Sequence, residues 1–393
     1  MNMTIDDVLT RGVEQVLPSK DTLARIMSER KIRLYLGIDP TGNQLHLGHA
    51  VVLRKLQQFA NLGHDVILLV GDGTVKIGDP TGKDKTRPML TQEEIEANFQ
   101  TWKQQASHVL DFSTIRVLHN GDWLDKLTYV DMIRLCAKFT VQQMMERDMF
   151  VERVKNNQPV HIHELLYPIM QGFDSVAMDV DLEIGGSDQI FNMLRGRDLQ
   201  RIEHNKEKWV LGTKIINGLD GRKMSKSYNN FVGLTESPND MFGKLMSIAD
   251  SEIITYFEVL TDISTADIGD ISQQLNIGAN PMTFKKQLAF EITQRLHSTE
   301  QALEARDYFE QTVQQKQIPT DIPTIHIPKN ATALEIVSIA KPTESKSALR
   351  RLIEQGGVEF DGKKQLNPLD SVDVKDGSIV KVGKREYFRI VSK

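Results

Sequence analysis

Apolar residues in the first third of the chain fall into two spacings. "KIRLYLGI" (31–38) and "DVILLVG" (65–71) are short apolar runs of the kind that make buried strands. Between them Val52, Leu56, Phe59 and Ala60 recur at helical spacing, with Asn61 and Gly63 placed to close the helix. Residues 32–71 therefore predict a strand, a helix and a strand of one parallel sheet. In "VDLEIGGSDQ" (180–189), Val180, Leu182 and Ile184 alternate before a Gly-Gly turn and predict a further strand. Past residue 232 the pattern turns helical, with amphipathic runs over 240–260 and 281–313. Prolines at 319, 323 and 328 then mark an extended linker. The tail predicts two short helices, a hairpin turned by Asp361-Gly362, and alternating strands around "SIVKVGKREYFRI" (378–390).

The expected fold class is α/β: a parallel-sheet domain over 1–231, an α-helical domain over 232–316, a linker over 317–329 and a small α+β domain over 330–393. A chain of 393 residues has room for such a division. In parallel sheets ligands bind beyond the carboxyl ends of the strands, which singles out the loop at Asp39 and "GDGTVKIGDPTGK" (71–83).

Composition narrows the class. One cysteine, Cys136, excludes an intrachain disulfide and a cysteine-based zinc cluster, which fits a reducing compartment. The first residues carry acids where an export signal has bases, and the most apolar run, "VILLV" (66–70), is far below membrane-spanning length. The expectation is a cytoplasmic protein without a membrane partner. A net charge of −5 argues against nonspecific coating of nucleic acid. The tail differs: residues 330–393 hold twelve Lys and Arg against nine Asp and Glu, a small basic module suited to a polyanion.

Three stretches carry candidate chemistry. In "HLGHAVVLRK" (46–55) two histidines flank a glycine where a loop becomes a helix. Free N–H groups and the positive end of the helix dipole gather there, so the pair suits phosphate, while a solvated pair or two metal ligands remain open. "DGRKMSKSYNN" (220–230) places Lys223 and Lys226 on a Gly, Ser and Asn-rich loop, where they serve either as a solvated face or as two ammonium groups closing on one anion. In "ELLYPIMQGFDSVAM" (164–178), Pro168 fits the first turn of a helix. On that helix Tyr167, Gln171 and Asp174 lie within about 60° of one another, opposite Ile169, Phe173 and Val176.

Taken together, "HLGH" and "KMSKS" resemble the two signature motifs of the class I aminoacyl-tRNA synthetases, with Leu47 in place of the commoner isoleucine. "YLGIDPTGNQLHLGH", "GDPTGK", the Tyr-x-x-x-Gln-x-x-Asp spacing, "GGSDQ" and "KMSKS" follow the order found in tyrosyl-tRNA synthetases of bacterial type. The likeness is close over about residues 30–231, and the tail resembles an S4 RNA-binding module.

The resemblance implies a Rossmann-like catalytic domain, an anticodon-binding helical domain, and a homodimer with its interface within about 115–175. It puts Tyr35 and Asp174 on the phenol hydroxyl of tyrosine, Asp79, Tyr167 and Gln171 around its α-ammonium group, and Gln189 at its carboxyl end. Gly37, Asp39, Thr41, His46, Gly48, His49, Lys83, Arg87, Lys223 and Lys226 would line the ATP site, with Asp188 on the ribose. His46, His49, Lys223 and Lys226 would be the catalytic groups. ATP enters as substrate with Mg²⁺, for which no fixed protein ligand is expected. tRNA(Tyr) would meet Lys346, Arg350, Arg351, Lys384 and Arg385. Two rivals stay open from the residues: a tryptophanyl or small-molecule nucleotidyl-transferring enzyme with the same sheet, and an inactive RNA-binding scaffold.

Overall fold

A computed structural model describes residues 3–80, 91–314, 322–383 and 386–392 of the chain, which divides into two compact units, 1–299 and 300–393. In the first, six strands form one sheet: β1 (Val13–Leu17), β2 (Arg33–Ile38), β3 (Asp65–Val70), β4 (Ile115–His119), β5 (Leu182–Gly186) and β6 (Trp209–Thr213). Their order is β1-β6-β5-β2-β3-β4, parallel except for β1, which runs antiparallel to β6. The chain winds outward from β2 through β3 to β4, returns to β5 beside β2, and winds outward again to β6. Winding reverses between β2 and β5, and the carboxyl end of such a reversal is where open α/β sheets bind ligands.

The predicted strand, helix, strand unit is present, with a helix over Leu47–Asn61 and Gly63 at φ +82° just past its end. Because the helix lies against β2, β3 and β5, nearly all of it is covered, and even Arg54 and Lys55 are buried. Arg54 donates through Nε and Nη2 to the Val259 and Thr261 carbonyls and to Asp262, while its Nη1 has no hydrogen-bond partner among the described residues, and Lys55 donates to the Val8 and Arg11 carbonyls. The Arg54 bonds tie residues 259–262, beyond residue 231, to the Leu47–Asn61 helix within the first unit.

One helix differs from its prediction. It spans Ile162–Ala177, with Pro168 in its interior and not in its first turn. The start lies earlier because His161 and Glu164 close a capping box there, and Arg153 pairs with Glu164 beneath it. The expected packing side holds: Ile169, Phe173 and Val176 join Leu135, Met144 and Leu199 in one cluster. This helix packs closely on Ile190–His204, and at the crossing a Cβ on Gly172 would stand 3.0 Å from the Arg195 and Gly196 backbones.

The second unit builds a sheet in the order β7-β11-β10-β8-β9 from β7 (Thr324–Ile327), β8 (Val358–Phe360), β9 (Lys363–Gln365), β10 (Ile379–Val382) and β11 (Glu386–Ser392). Helices Ala333–Ala340 and Lys346–Glu354 supply Ile336, Val337, Leu349 and Ile353 to its core. The Asp361-Gly362 hairpin is as predicted, both residues having positive φ. Part of the expected linker is instead β7, paired parallel with β11, because Ile325 and Ile327 alternate into the core between Pro323 and Pro328. Among the described residues no helix is long and apolar enough to cross a membrane.

Candidate active site

The loop after β2 leads into the Leu47–Asn61 helix, and His46 is its N-cap residue. Imidazole Nδ1 of His46 accepts the Gly48 N–H at 3.1 Å, and Nδ1 of His49 accepts the His46 N–H at 3.1 Å. Gly48 is required, since a Cβ there would lie 2.9 Å from the His46 ring. Burial first, then Lys226 and Lys223, pushes His46 down to about 3, and burial, His46 and the same lysines push His49 well below the usual imidazole range. Both rings are neutral at pH 7. A neutral ring whose Nδ1 accepts carries its proton on Nε2, so each presents an N–H donor at its far end.

Burial of neutral His46 has a consequence for stability. Below pH 6.5 the unfolded chain binds a proton at this ring that the folded chain does not, so stability falls by about 1.4 kcal/mol per pH unit toward the folded value of about 3. Urea midpoints between pH 7 and 5 check this, with His46→Asn, which keeps an N-cap acceptor, expected to flatten the slope. An unchanged slope would mean that His46 is not the group responsible.

The lysine loop lies alongside. The Leu47 N–H donates to the Val232 carbonyl at 2.9 Å, His46 and Gly233 form an antiparallel bridge, and buried Met224 stands over Gly48. Lys223 pairs with Asp188 at 2.5 Å, and the Lys226 ammonium sits 5.5 Å from the Trp102 ring centroid, beside Gly42. Asn230 holds the loop's shape: its carbonyl oxygen takes the Ser225 N–H at 2.8 Å and its NH₂ reaches Asp220 and the Arg222 and Lys223 carbonyls. From the other side, the helix Gln92–Ala106 clamps the 40–45 loop through Asn98, Trp102 and Gln105, which donate to the Pro40, Gly42 and Asn43 carbonyls.

At the β2/β5 reversal the polar side of the Ile162–Ala177 helix faces inward, and Tyr167 and Asp174 are buried. Asp39 accepts from Tyr167 at 2.9 Å and from Thr74 at 2.8 Å. Asp174 accepts from Trp123 Nε1 at 2.8 Å and Asn120 Nδ2 at 3.1 Å. Burial pushes its carboxyl well above the usual carboxylate range against those two hydrogen bonds, with Glu183 and Asp39 adding to the rise. The Tyr35 hydroxyl meets Ser175 Oγ at 3.1 Å and the Gln171 carbonyl at 3.4 Å, and burial, Glu183 and Asp174 raise its pKa. Asp79 accepts from Gln189 at 3.0 Å and pairs with Arg147 at 3.4 Å.

The structure thus links Asp39 with Tyr167, Asp79 with Gln189, and Tyr35 with the Gln171 carbonyl near Asp174 at the β2/β5 reversal, and places His46 beside His49 and Lys223 beside Asp188. Gly37 and Thr41 stand on the strand end and loop between them. Lys83, Arg87, Lys384 and Arg385 lie outside the described residues; Lys346, Arg350 and Arg351 are exposed on the second unit's Lys346–Glu354 helix. Sequence reasoning missed Thr74, Asn120, Trp123, Ser175, Glu183, Lys208 and Asn230. "HNGDW" (119–123) follows a strand and was findable by the same carboxyl-end rule, and a charged Glu183 inside an apolar strand was a signal. Lys208, one residue ahead of β6, gave none.

Comparison with known proteins is consistent with this geometry. Residues 27–314 match the family model for class I tRNA synthetases (W and Y). The chain is 43% identical over 390 residues to the tyrosine–tRNA ligase of Moorella thermoacetica, covering 98% of this chain and 94% of that one. It is 43% identical to tyrosine–tRNA ligase 2 of Photorhabdus laumondii over the full length of both, and 42% identical to the Thermotoga maritima ligase, covering 98% and 96%. Among solved structures, the Archaeoglobus fulgidus tyrosyl-tRNA synthetase complexed with L-tyrosine shares the fold, with a TM-score of 0.63 over 77% of this chain and 98% of that one, at 22% identity.

Proposed function

The chain belongs to the tyrosine–tRNA ligases, class I aminoacyl-tRNA synthetases, and from that membership we propose how its residues divide the reaction. The enzyme activates L-tyrosine with ATP and transfers it to tRNA(Tyr). One carboxylate oxygen of tyrosine attacks the α-phosphorus, the bond to the β-phosphate breaks, and pyrophosphate leaves. A ribose hydroxyl of the tRNA's terminal adenosine then attacks the activated carbonyl and AMP leaves. The attacking oxygens belong to substrates, so the protein's task is positioning and charge stabilisation.

The observation that carries the assignment is the approach of the 46–49 and 223–226 motifs, with Met224 over Gly48 and both lysines near the His46 ring, in a chain that also buries Tyr167 and Asp174 at the sheet's winding reversal. Asp79, Tyr167 and Gln171 would receive the α-ammonium group, and Gln189 the carboxyl end. Tyr35 and Asp174 would read the phenol hydroxyl; they do so as two separately supported groups, each with its own partners. A site built to bond a hydroxyl leaves buried polar groups unpaired when phenylalanine enters, which costs far more than a missing methylene.

At the rim, His46 and His49 as neutral donors, with Lys223 and Lys226, would meet the triphosphate, and Asp188 the ribose. These are donors suited to phosphate oxygens, so Mg²⁺ would be held by the phosphates it accompanies and help neutralise their charge. The 232–316 helices would read the anticodon region, and Lys346, Arg350 and Arg351 would grip RNA phosphate. A homodimer is supported by apolar side chains left exposed within 115–175: Tyr129 is 79% exposed, Val141 65% and Ile162 82%. We place the enzyme in the cytoplasm, where translation runs.

Amino-acid-dependent ATP–pyrophosphate exchange without tRNA tests the reading. Exchange with tyrosine and none with phenylalanine or tryptophan is expected. Exchange with tryptophan would move the specificity, and silence with all three would leave an RNA-binding scaffold.

A further inference from the structure

Tyr35 and Glu183 are direct neighbours in register on β2 and β5, so both project from one face of the sheet at the winding reversal. Glu183 is 1% exposed and Lys208, its ion-pair partner, 0%. Lys208 also donates to the Met193 carbonyl at 3.0 Å, and its ammonium stands 5.8 Å from the Tyr35 ring centroid. Space for it exists because residue 196 is glycine: a Cβ there would lie 2.4 Å from the Lys208 Nζ and from Ser175 Oγ. Stability does not explain such a pair, since apolar residues of similar volume serve a buried core as well or better.

The second oxygen of Glu183 accepts from Gln171 Nε2 at 2.9 Å. An ionised carboxylate only accepts, so the Gln171 amide must turn its NH₂ toward Glu183 and its oxygen away. That oxygen, Gln171 Oε1, is buried and has no hydrogen-bond partner among the described residues. A buried acceptor left unmade is costly unless a ligand completes it.

We propose that Lys208 and Glu183 are positioning residues that lock the Gln171 amide with its oxygen toward the pocket, where it accepts from the α-ammonium group of tyrosine. A carboxylate buried as deeply as Glu183 needs a paired cation. Lys208 supplies that cation. Without it nothing holds Glu183 as a fixed acceptor, the Gln171 amide is free to turn over, and NH₂ then faces the substrate's ammonium. The inference rests on the tyrosine-activating reading above and deepens it.

The test compares binding of tyrosine with that of its deaminated counterpart, 3-(4-hydroxyphenyl)propanoate, to the full-length chain. Lys208→Met is expected to weaken tyrosine by about 10-fold or more and the deaminated acid by less than about 3-fold. The paired apolar variant Glu183→Leu/Lys208→Met buries no unpaired charge, keeps a near-normal urea midpoint, and is expected to show the same selective loss. Equal loss for both ligands would reduce the pair to a structural role and overturn the proposal. So would an undiminished preference for tyrosine in the paired variant. Absence of tyrosine-dependent exchange in the unaltered chain is a separate result that overturns the functional reading itself.

Discussion

Lys226→Ala is expected to slow single-turnover formation of tyrosyl-adenylate by about 10²–10³-fold while changing tyrosine affinity by less than about 3-fold. As pyrophosphate leaves, negative charge accumulates on it, and a fixed ammonium aimed at that charge lowers the barrier without improving tyrosine binding. Lys226 would supply that ammonium; it lies near enough to the His46 and His49 rings to depress both. Tyrosine, by contrast, would be held on β2, on the 71–79 loop and on the Ile162–Ala177 helix. A second readout is independent of rate: removing one cation should raise the His46 pKa from about 3, which follows from the cause of its depression. An unchanged rate with weakened tyrosine binding would place Lys226 in the amino-acid pocket and refute the assignment.

The sheet and the motifs were legible because they obey local rules. β2, the helix after it and β3 follow from apolar period and from Gly63, and the 46–49 and 223–226 motifs, each open alone, gain a reading by occurring together. What was not legible depends on partners far apart in sequence. Spacing puts Tyr167, Gln171 and Asp174 on one side of the Ile162–Ala177 helix but does not say what meets them: Tyr167 and Asp174 are buried, and Asn120 and Trp123 arrive from 51 to 54 residues upstream to satisfy Asp174. Tyr35 and Asp174 read as a single pair, but their bonds run to Ser175 and the Gln171 carbonyl in one case and to Asn120 and Trp123 in the other. β7 was hidden for a different reason: three prolines outweigh two isoleucines in a local reading, whereas pairing with β11 decides the fold.

Gly71→Ala shows how tightly the amino-acid pocket is built into the sheet end. Gly71 follows β3 directly, and its N–H donates to the Ile38 carbonyl at 2.7 Å, which fixes the backbone across the mouth of β2 and β3. A Cβ there would fall 2.0 Å from Asp39 Oδ1 and 2.5 Å from Thr74 Oγ1. Asp39 cannot yield without disturbing its bonds from both Tyr167 and Thr74, so a single methyl strains the sheet end and the pocket together. Overpacking of this kind costs about 1–3 kcal/mol, and each disturbed hydrogen bond to a carboxylate about 1.5–3 kcal/mol more. The expected result is a lower urea midpoint and a tyrosine KM raised by about 10-fold or more, since Tyr167, proposed to receive the α-ammonium group, loses the partner that orients it. KM for ATP should change far less, because on the proposed reading the phosphate donors are on the 46–49 and 223–226 motifs. A variant with normal stability and normal tyrosine KM would show that Asp39 moves freely, and that the Tyr167–Asp39–Thr74 chain does not shape the pocket.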